Sequence, residues 1–347
     1  MRHLIDAVDL SVEELAHLCD LAIDIKEHPD KYAQACRGKK LATLFFEPST
    51  RTRMSFEAAM LDLGGSVISM PGGGVSSAVK GESIQDTATV ISSYVDIIAM
   101  RHPVEGAARL AARHSTVPFI NAGDGGHCHP TQTLADILTI RQETGRLCDI
   151  TVGLCGDLLY GRTVHSLIRV LSRYEKVRFV LISPRELQLP DYMAEGLTAK
   201  VCTSLEEALP ELDILYMTRV QKERFEDEEQ YERLKDAYIL TPERMALGKP
   251  GLRVLHPLPR VNEIDPRVDA DPRACYFKQV RYGKLMRMAL ILTMLSGEGR
   301  RKEEVLVQAA GRCHNPHCVC QKERNVPPEF ICHEGQVRCA WCESAVE

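Results

Sequence analysis

The sequence predicts an α/β protein built from two doubly wound parallel-sheet domains, with a short cysteine-rich segment after them. Three observations carry that prediction. Apolar residues come in short unbroken runs, which is how strands buried on both faces of a parallel sheet read. Helix-like stretches separate the runs, so strand and helix alternate along the chain. The cysteines are unevenly placed: of 13 in 347 residues, six crowd between Cys313 and Cys342.

Taken in order, the first series of strands falls at Leu41–Phe46, Val67–Met70, Ile97–Met100 and Val117–Ile120. A second series follows at Ile150–Cys155, Val177–Ile182, Ile214–Met217 and Leu252–Leu255. Helical patterns lie at Thr52–Leu63, Thr131–Thr144 and Thr163–Arg173. So many strands exceed one sheet, and the expected division is residues 1–146 and 147–280. An apolar helix at 281–297, bearing Leu285, Met288, Ala289, Ile291, Leu292 and Leu295, returns to complete the first domain. A charged linker from Gly297 to Glu304 opens the last segment, 298–347. Ligands in such folds bind beyond the carboxyl ends of the strands, so the predicted site is a cleft between the two domains.

Composition narrows the function classes. The chain is 44% hydrophobic and 26% charged, as expected of a soluble globular protein, and its formal net charge is −5. An anionic substrate must then be drawn in by a local group of arginines. No block of like charge reads as a nucleic-acid arm. No apolar stretch approaches the roughly 20 residues of a membrane helix. Met1-Arg2-His3-Leu4-Ile5-Asp6 lacks the apolar run of a signal peptide. A cytoplasmic protein with reduced cysteines is expected. The scattered cysteines then read as small buried hydrophobes.

The most informative stretch is Phe45-Phe46-Glu47-Pro48-Ser49-Thr50-Arg51-Thr52-Arg53. A buried strand ends, a proline turns the chain, and hydroxyl residues open a helix. Helix N-termini present free N–H groups and a partial positive charge, which suits phosphate. Ser49, Thr50 and Thr52 add hydroxyls, and Arg51 adds a fork that grips phosphate oxygens in pairs. The same string also reads as an ordinary Ser/Thr cap beside a solvated arginine. Its neighbours decide between the two: Arg101-His102-Pro103 follows the third strand, and His129-Pro130-Thr131-Gln132 opens a helix.

Together these motifs resemble the carbamoyltransferase family, whose hallmark is Ser-x-Arg-Thr after a Phe-x-x-Pro turn, and the resemblance spans residues 1–297. Three further stretches resemble its aspartate carbamoyltransferase branch: Gly156-Asp157-Leu158-Leu159-Tyr160-Gly161-Arg162-Thr163-Val164-His165, Met217-Thr218-Arg219-Val220-Gln221, and His256-Pro257-Leu258-Pro259-Arg260. The Ser-Met-Gly and His-Cys-Leu-Pro motifs of the ornithine branch do not occur. Aspartate brings two carboxylates, and Arg162 and Arg219 offer two cationic forks for them.

The resemblance implies that the amine of L-aspartate attacks carbamoyl phosphate, giving N-carbamoyl-L-aspartate and phosphate, in de novo pyrimidine biosynthesis. No catalytic cofactor is implied. Ser49, Thr50, Arg51 and Thr52 would hold the phosphate. Arg101, His129 and Thr52 would polarise the carbonyl oxygen, and Gln132 with the backbone carbonyls of Pro257 and Leu258 would fix the carbamoyl NH₂. Lys80, Arg162, Arg219 and Gln221 would hold aspartate. In the family a mobile loop from the neighbouring subunit completes the site; here it maps to the glycine-rich stretch Gly72–Glu82, onto Ser76 (or Ser77) and Lys80. A homotrimer with shared active sites follows.

The remaining segment reads Cys313-His314-Asn315-Pro316-His317-Cys318 and, later, Cys339-Ala340-Trp341-Cys342. A C-x₄-C pair followed by C-x₂-C suits a structural zinc ion held by Cys313, Cys318, Cys339 and Cys342. Cys320, Cys332, His314, His317 and His333 are competing ligands. The segment resembles the zinc domain that ends the separate regulatory chain of some bacterial aspartate carbamoyltransferases, without the nucleotide-binding domain that precedes it there. A docking role, with higher assembly through the zinc domain, is the expectation. Two rivals stay open: an ornithine or other carbamoyltransferase, and a non-catalytic zinc-bearing assembly subunit.

Overall fold

A computed structural model describes residues 3–70, 72, 80–220, 229, 238–297, 306–307, 311–333 and 335–346. The chain divides into two compact units, Met1–Thr131 with Lys284–Glu347, and Gln132–Gly283.

The first unit is built on a four-stranded parallel sheet in the order β2-β1-β3-β4, with β1 Lys40–Phe45, β2 Ser66–Met70, β3 Ile97–His102 and β4 Phe119–Asp124. The central strands β1 and β3 carry the unbroken apolar runs because helices cover both sheet faces. β2 is an edge strand and largely exposed. The Ala107–His114 helix is nearly all alanine and arginine, and residues Ala107 to Ala112 are all buried.

What covers that helix is the cysteine-rich segment. It forms a small antiparallel sheet, β10 Leu306–Val307, β11 Phe330–His333 and β12 Gln336–Cys339, in the order β10-β11-β12. Cys313, Cys318, Val319, Val326, Cys339, Trp341 and Cys342 share one hydrophobic core with Ala107, Ala108, Leu110 and Ala111. The guanidinium of Arg113 lies 4.1 Å from the Trp341 ring centroid, a cation–π contact. It also meets Glu329 at 2.6 Å. Arg109 donates to the carbonyl of Ala340 and pairs with Glu343 at 3.0 Å. The segment is therefore packed as part of the first unit.

The second unit holds a five-stranded parallel sheet, β7-β6-β5-β8-β9: β5 Thr151–Cys155, β6 Arg178–Ile182, β7 Ala199–Cys202, β8 Ile214–Met217 and β9 Arg253–Leu255. Its core gathers Val180, Ile182, Leu215, Met217 and Val254 with Leu205, Leu209 and Tyr276. Six of the seven scattered cysteines are buried, as expected, whereas Cys148 is exposed. No helix among the described residues is long and apolar enough to cross a membrane.

Candidate active site

In the first unit the predicted phosphate residues lie at the carboxyl ends of β1 and β3. Ser49 is the N-cap of the Thr50–Asp62 helix but makes no capping bond. Its hydroxyl instead accepts from Arg101 Nη1 at 3.2 Å. Arg101 is aligned with Phe45 across the sheet, and its Nη2 donates to Glu47 Oε1 at 2.7 Å. Its side chain is only 12% exposed, so its charge is weakly screened and demands an anionic partner, here Glu47. A phosphate or polarised carbonyl oxygen would compete with Glu47 for that guanidinium. Thr50 and Arg51 are exposed and Thr52 half-buried around the same helix start.

His129 and Thr131 are buried at the start of the Pro130–Thr144 helix, and Thr131 Oγ1 accepts from Arg287 Nη2 at 3.4 Å. The turn before His129 is tied down by Asp124. One carboxylate oxygen accepts from Asn121 and the Cys128 N–H, the other from the Gly106 N–H and His127. Asp124, His127 and Cys128 place their ligand atoms within 4.8 Å of one another. Their hydrogen bonds already satisfy the carboxylate, which makes the group a structural network.

At the end of β3, His102 accepts the Val104 N–H through Nδ1 at 3.1 Å, and its ring lies 4.9 Å from that of Phe46. Burial lowers its pKa to about 4, against the opposing pull of Asp124 and Glu47. A neutral imidazole is what that accepted hydrogen bond requires.

In the second unit β5 and β8 are adjacent and parallel, and this adjacency joins the two stretches expected to hold aspartate. Thr218 bridges them: its N–H and hydroxyl donate to Cys155 O at 2.8 and 3.0 Å, and its hydroxyl accepts the Asp157 N–H at 3.1 Å. Gly156, at φ +113°, allows this approach, since a Cβ there would stand 2.4 Å from Thr218 O. Arg162 begins the Arg162–Leu171 helix after β5, and Arg219 lies two residues past the end of β8; both are half-buried.

The loop after β9 carries Pro257 and Leu258. His256 Nε2 pairs with Glu263 Oε1 at 2.7 Å, and its Nδ1 accepts the Leu258 N–H at 2.8 Å. Those two bonds set the imidazole tautomer. They also hold Leu258 at φ +51°, a backbone conformation unfavourable for a side-chain-bearing residue. Burial raises the pKa of Glu263, but the His256 bond and backbone donors outweigh it, leaving the carboxyl below its usual range. Gln279 links this loop to Asp136: its amide oxygen accepts the His256 N–H at 3.0 Å and its NH₂ donates to Asp136. Asp136 also accepts from Tyr216 at 2.9 Å and Gln132 at 2.7 Å. The Gln132 contact is made by its NH₂, which leaves its amide oxygen turned away from Asp136.

The cysteines converge. Sγ atoms of Cys313, Cys318, Cys320 and Cys339 lie within 4.8 Å of one another, and Cys342 lies 3.7 Å from Cys313. Cys318 and Cys339 are 3.8 Å apart. A tetrahedral ion with metal–sulfur bonds of about 2.3 Å needs sulfur–sulfur edges of about 3.8 Å, so this donor set fits a metal such as zinc. Cys332 is exposed and outside the group.

Ser76, Ser77 and Gln221 lie outside the described residues; Lys80 is exposed. Sequence reasoning missed Glu47, Asp136, Glu263 and Gln279. Glu47 stood inside the quoted phosphate stretch but read as a spacer, and the other three carry no local signature.

The family description "Aspartate/ornithine carbamoyltransferase, carbamoyl-P binding domain" matches residues 2–142. Its companion, "Asp/Orn binding domain", matches residues 148–294. The chain is 60% identical over 302 residues to an aspartate carbamoyltransferase catalytic subunit of Clostridium novyi, covering 86% of this chain and 99% of that one. It is 57% identical over 302 residues to that of Lachnoclostridium phytofermentans, covering 85% and 98%. Among solved structures, the catalytic subunit of M. jannaschii aspartate transcarbamoylase superposes with TM-score 0.80 at 47% identity, covering 86% and 99%. The Trypanosoma cruzi aspartate transcarbamoylase in complex with N-(phosphonacetyl)-L-aspartic acid gives TM-score 0.80 at 39% identity, covering 84% and 95%. Matched through both parallel-sheet domains, the chain belongs to the aspartate/ornithine carbamoyltransferase family.

Proposed function

We propose that the chain is an aspartate carbamoyltransferase. The amine of L-aspartate attacks the carbonyl carbon of carbamoyl phosphate, a C–N bond forms, and the C–O bond to phosphate breaks from a tetrahedral intermediate. The products are N-carbamoyl-L-aspartate and phosphate, with the proton lost by the amine passing to the departing phosphate. Ser49, Thr50, Arg51 and Thr52 hold the phosphate; Arg101, Thr52 and His129 face the developing oxyanion. Gln132 and the carbonyls of Pro257 and Leu258 accept from the carbamoyl NH₂. Arg162, Arg219 and Gln221 take the aspartate carboxylates. The protein supplies alignment and charge stabilisation rather than a nucleophile.

One observation carries the choice of acceptor: the β5–β8 junction fastened by Thr218 brings the Arg162 and Arg219 stretches together, a pairing that suits a dicarboxylate. The same reading makes the enzyme a cytoplasmic homotrimer in which Ser76 and Lys80 of one subunit complete a neighbour's site.

Cys313, Cys318, Cys339 and Cys342 hold a structural zinc ion. Cys342 is favoured over Cys320 because Cys320 sits 3.3 Å from Cys318, closer than the edge of a tetrahedral thiolate set, whereas Cys342 keeps 3.7 Å from Cys313. When bound, the ion organises the segment.

The test offers aspartate and ornithine side by side with carbamoyl phosphate, with zinc quantified in the same sample. Carbamoyl-aspartate with about one zinc per chain is expected. Turnover of ornithine alone sinks the acceptor assignment, and no turnover by zinc-loaded trimer moves the non-catalytic assembly subunit to first place.

A further inference from the structure

Both halves of the cysteine cluster reach the same turn of the first unit, Asp124–Cys128, which leads directly into His129. The first half does so through Glu105. The Glu105 N–H donates to His317 O at 3.0 Å, and its carbonyl accepts the Val319 N–H at 2.8 Å, so its backbone is clamped against Cys318. One oxygen of its side chain accepts from Asn315 Nδ2 at 2.6 Å, and the other accepts the Gly126 N–H at 3.2 Å. Gly125, at φ +54°, lets the turn lie flat on Glu105, since a Cβ there would come within 2.7 Å of Glu105 Cγ and Pro103 O. The second half acts through Glu343, directly after Cys342. One of its carboxylate oxygens meets Arg109 at 3.0 Å, and the other faces His127 Nε2 at 3.6 Å.

We propose that the cysteine segment is an intramolecular brace for the carbamoyl phosphate site, in which Asn315 and Glu343 are positioning residues that act on His129 through Glu105 and His127. The inference rests on His129 serving as an oxyanion donor, as described above. A donor of that kind works only when preorganised, so slack in the preceding turn weakens it. Asn315 lies between Cys313 and Cys318, and Glu343 follows the Cys339–Cys342 pair. A metal that draws these pairs together therefore sets both struts at once.

The experiment uses the full chain carrying Asn315→Ala and Glu343→Gln together, with Glu343→Gln alone as the milder variant. Zinc content and the emission of Trp341, the sole tryptophan, report whether the segment stays loaded and docked. Amide exchange of peptides spanning residues 121–131 reports the turn, and KM is measured separately for carbamoyl phosphate and aspartate. With zinc and emission unchanged, exchange in 121–131 is expected to accelerate about tenfold. KM for carbamoyl phosphate should rise about three- to tenfold, the range for losing one or two hydrogen bonds, while KM for aspartate holds. If the double variant loses zinc, the single variant carries the test with about half that effect on a logarithmic scale. Wild-type exchange and kinetics in a zinc-loaded variant overturn the proposal. Faster exchange in a protein whose wild type shows no carbamoyl transfer keeps the brace and removes the functional reading instead.

Discussion

Protonation of His102 should cost the first unit a defined amount of stability in a defined pH window. In an unfolded chain the imidazole titrates near 6.5, whereas in the folded unit burial holds it at about 4. Between those values the unfolded chain binds a proton that the folded one refuses. Stability from this site is therefore fully present above about pH 6.5, is lost as pH falls towards 4, and levels off below that. At about 1.4 kcal/mol per pKa unit the whole window is worth roughly 3 kcal/mol, with about 2 kcal/mol of it gone by pH 5. His102→Gln keeps an acceptor for the Val104 N–H and removes the titration. Urea unfolding followed by Trp341 emission, at pH 7, 5.5 and 4, gives the comparison, because Trp341 lies in the first unit's core. Wild type should lose roughly 3 kcal/mol more than the variant across that range. Parallel profiles for the two proteins would refute the assignment of a neutral, buried His102.

Arg101→Ala should lower kcat/KM for carbamoyl transfer by about 10²–10³ while the protein stays folded, as expected for loss of one oxyanion donor. Steady-state kinetics beside a circular dichroism spectrum check it, and a loss under tenfold would remove Arg101 from the site. Glu263→Gln should destabilise the second unit by about 1–3 kcal/mol, because His256 loses a charged acceptor and Leu258 its support at positive φ. The carboxylate contribution is present above the ordinary glutamate range and lost as pH falls through the lower folded value. Denaturant midpoints at pH 7 and 4 should therefore converge for the two proteins at the acid end.

Much of the fold was legible because a buried parallel strand leaves a continuous apolar run, and seven such runs stand in the observed sheets, while the eighth, Val67–Met70, falls on the largely exposed β2. β7 was missed for the converse reason: Ala199-Lys200-Val201-Cys202 is an edge strand exposed at all but its last residue, so no burial pattern marks it. The Ala107–His114 helix hides a different feature. Alanine suits any helix face, and nothing local says that Arg109 and Arg113 are covered by residues more than two hundred positions later. Asp136 reads in the sequence as one more polar helix residue, yet it is fully buried and joins Gln132, Tyr216 and Gln279.

By itself the sequence determined the alternation of strand and helix, the order of the Ser49–Arg53, Arg101, His129, Arg162 and Arg219 motifs, and the crowding of thiols after Cys313. Those are local properties, set by burial periodicity and by the chemistry each residue type can offer. Only the tertiary structure decided which of them meet. The clasp of Glu105 on Asn315 spans 210 positions, the pairing of Arg109 with Glu343 spans 234, and the packing of Thr218 on Asp157 spans 61. Such contacts depend on strand order and on which faces are covered, and a one-dimensional pattern of polarity does not encode either.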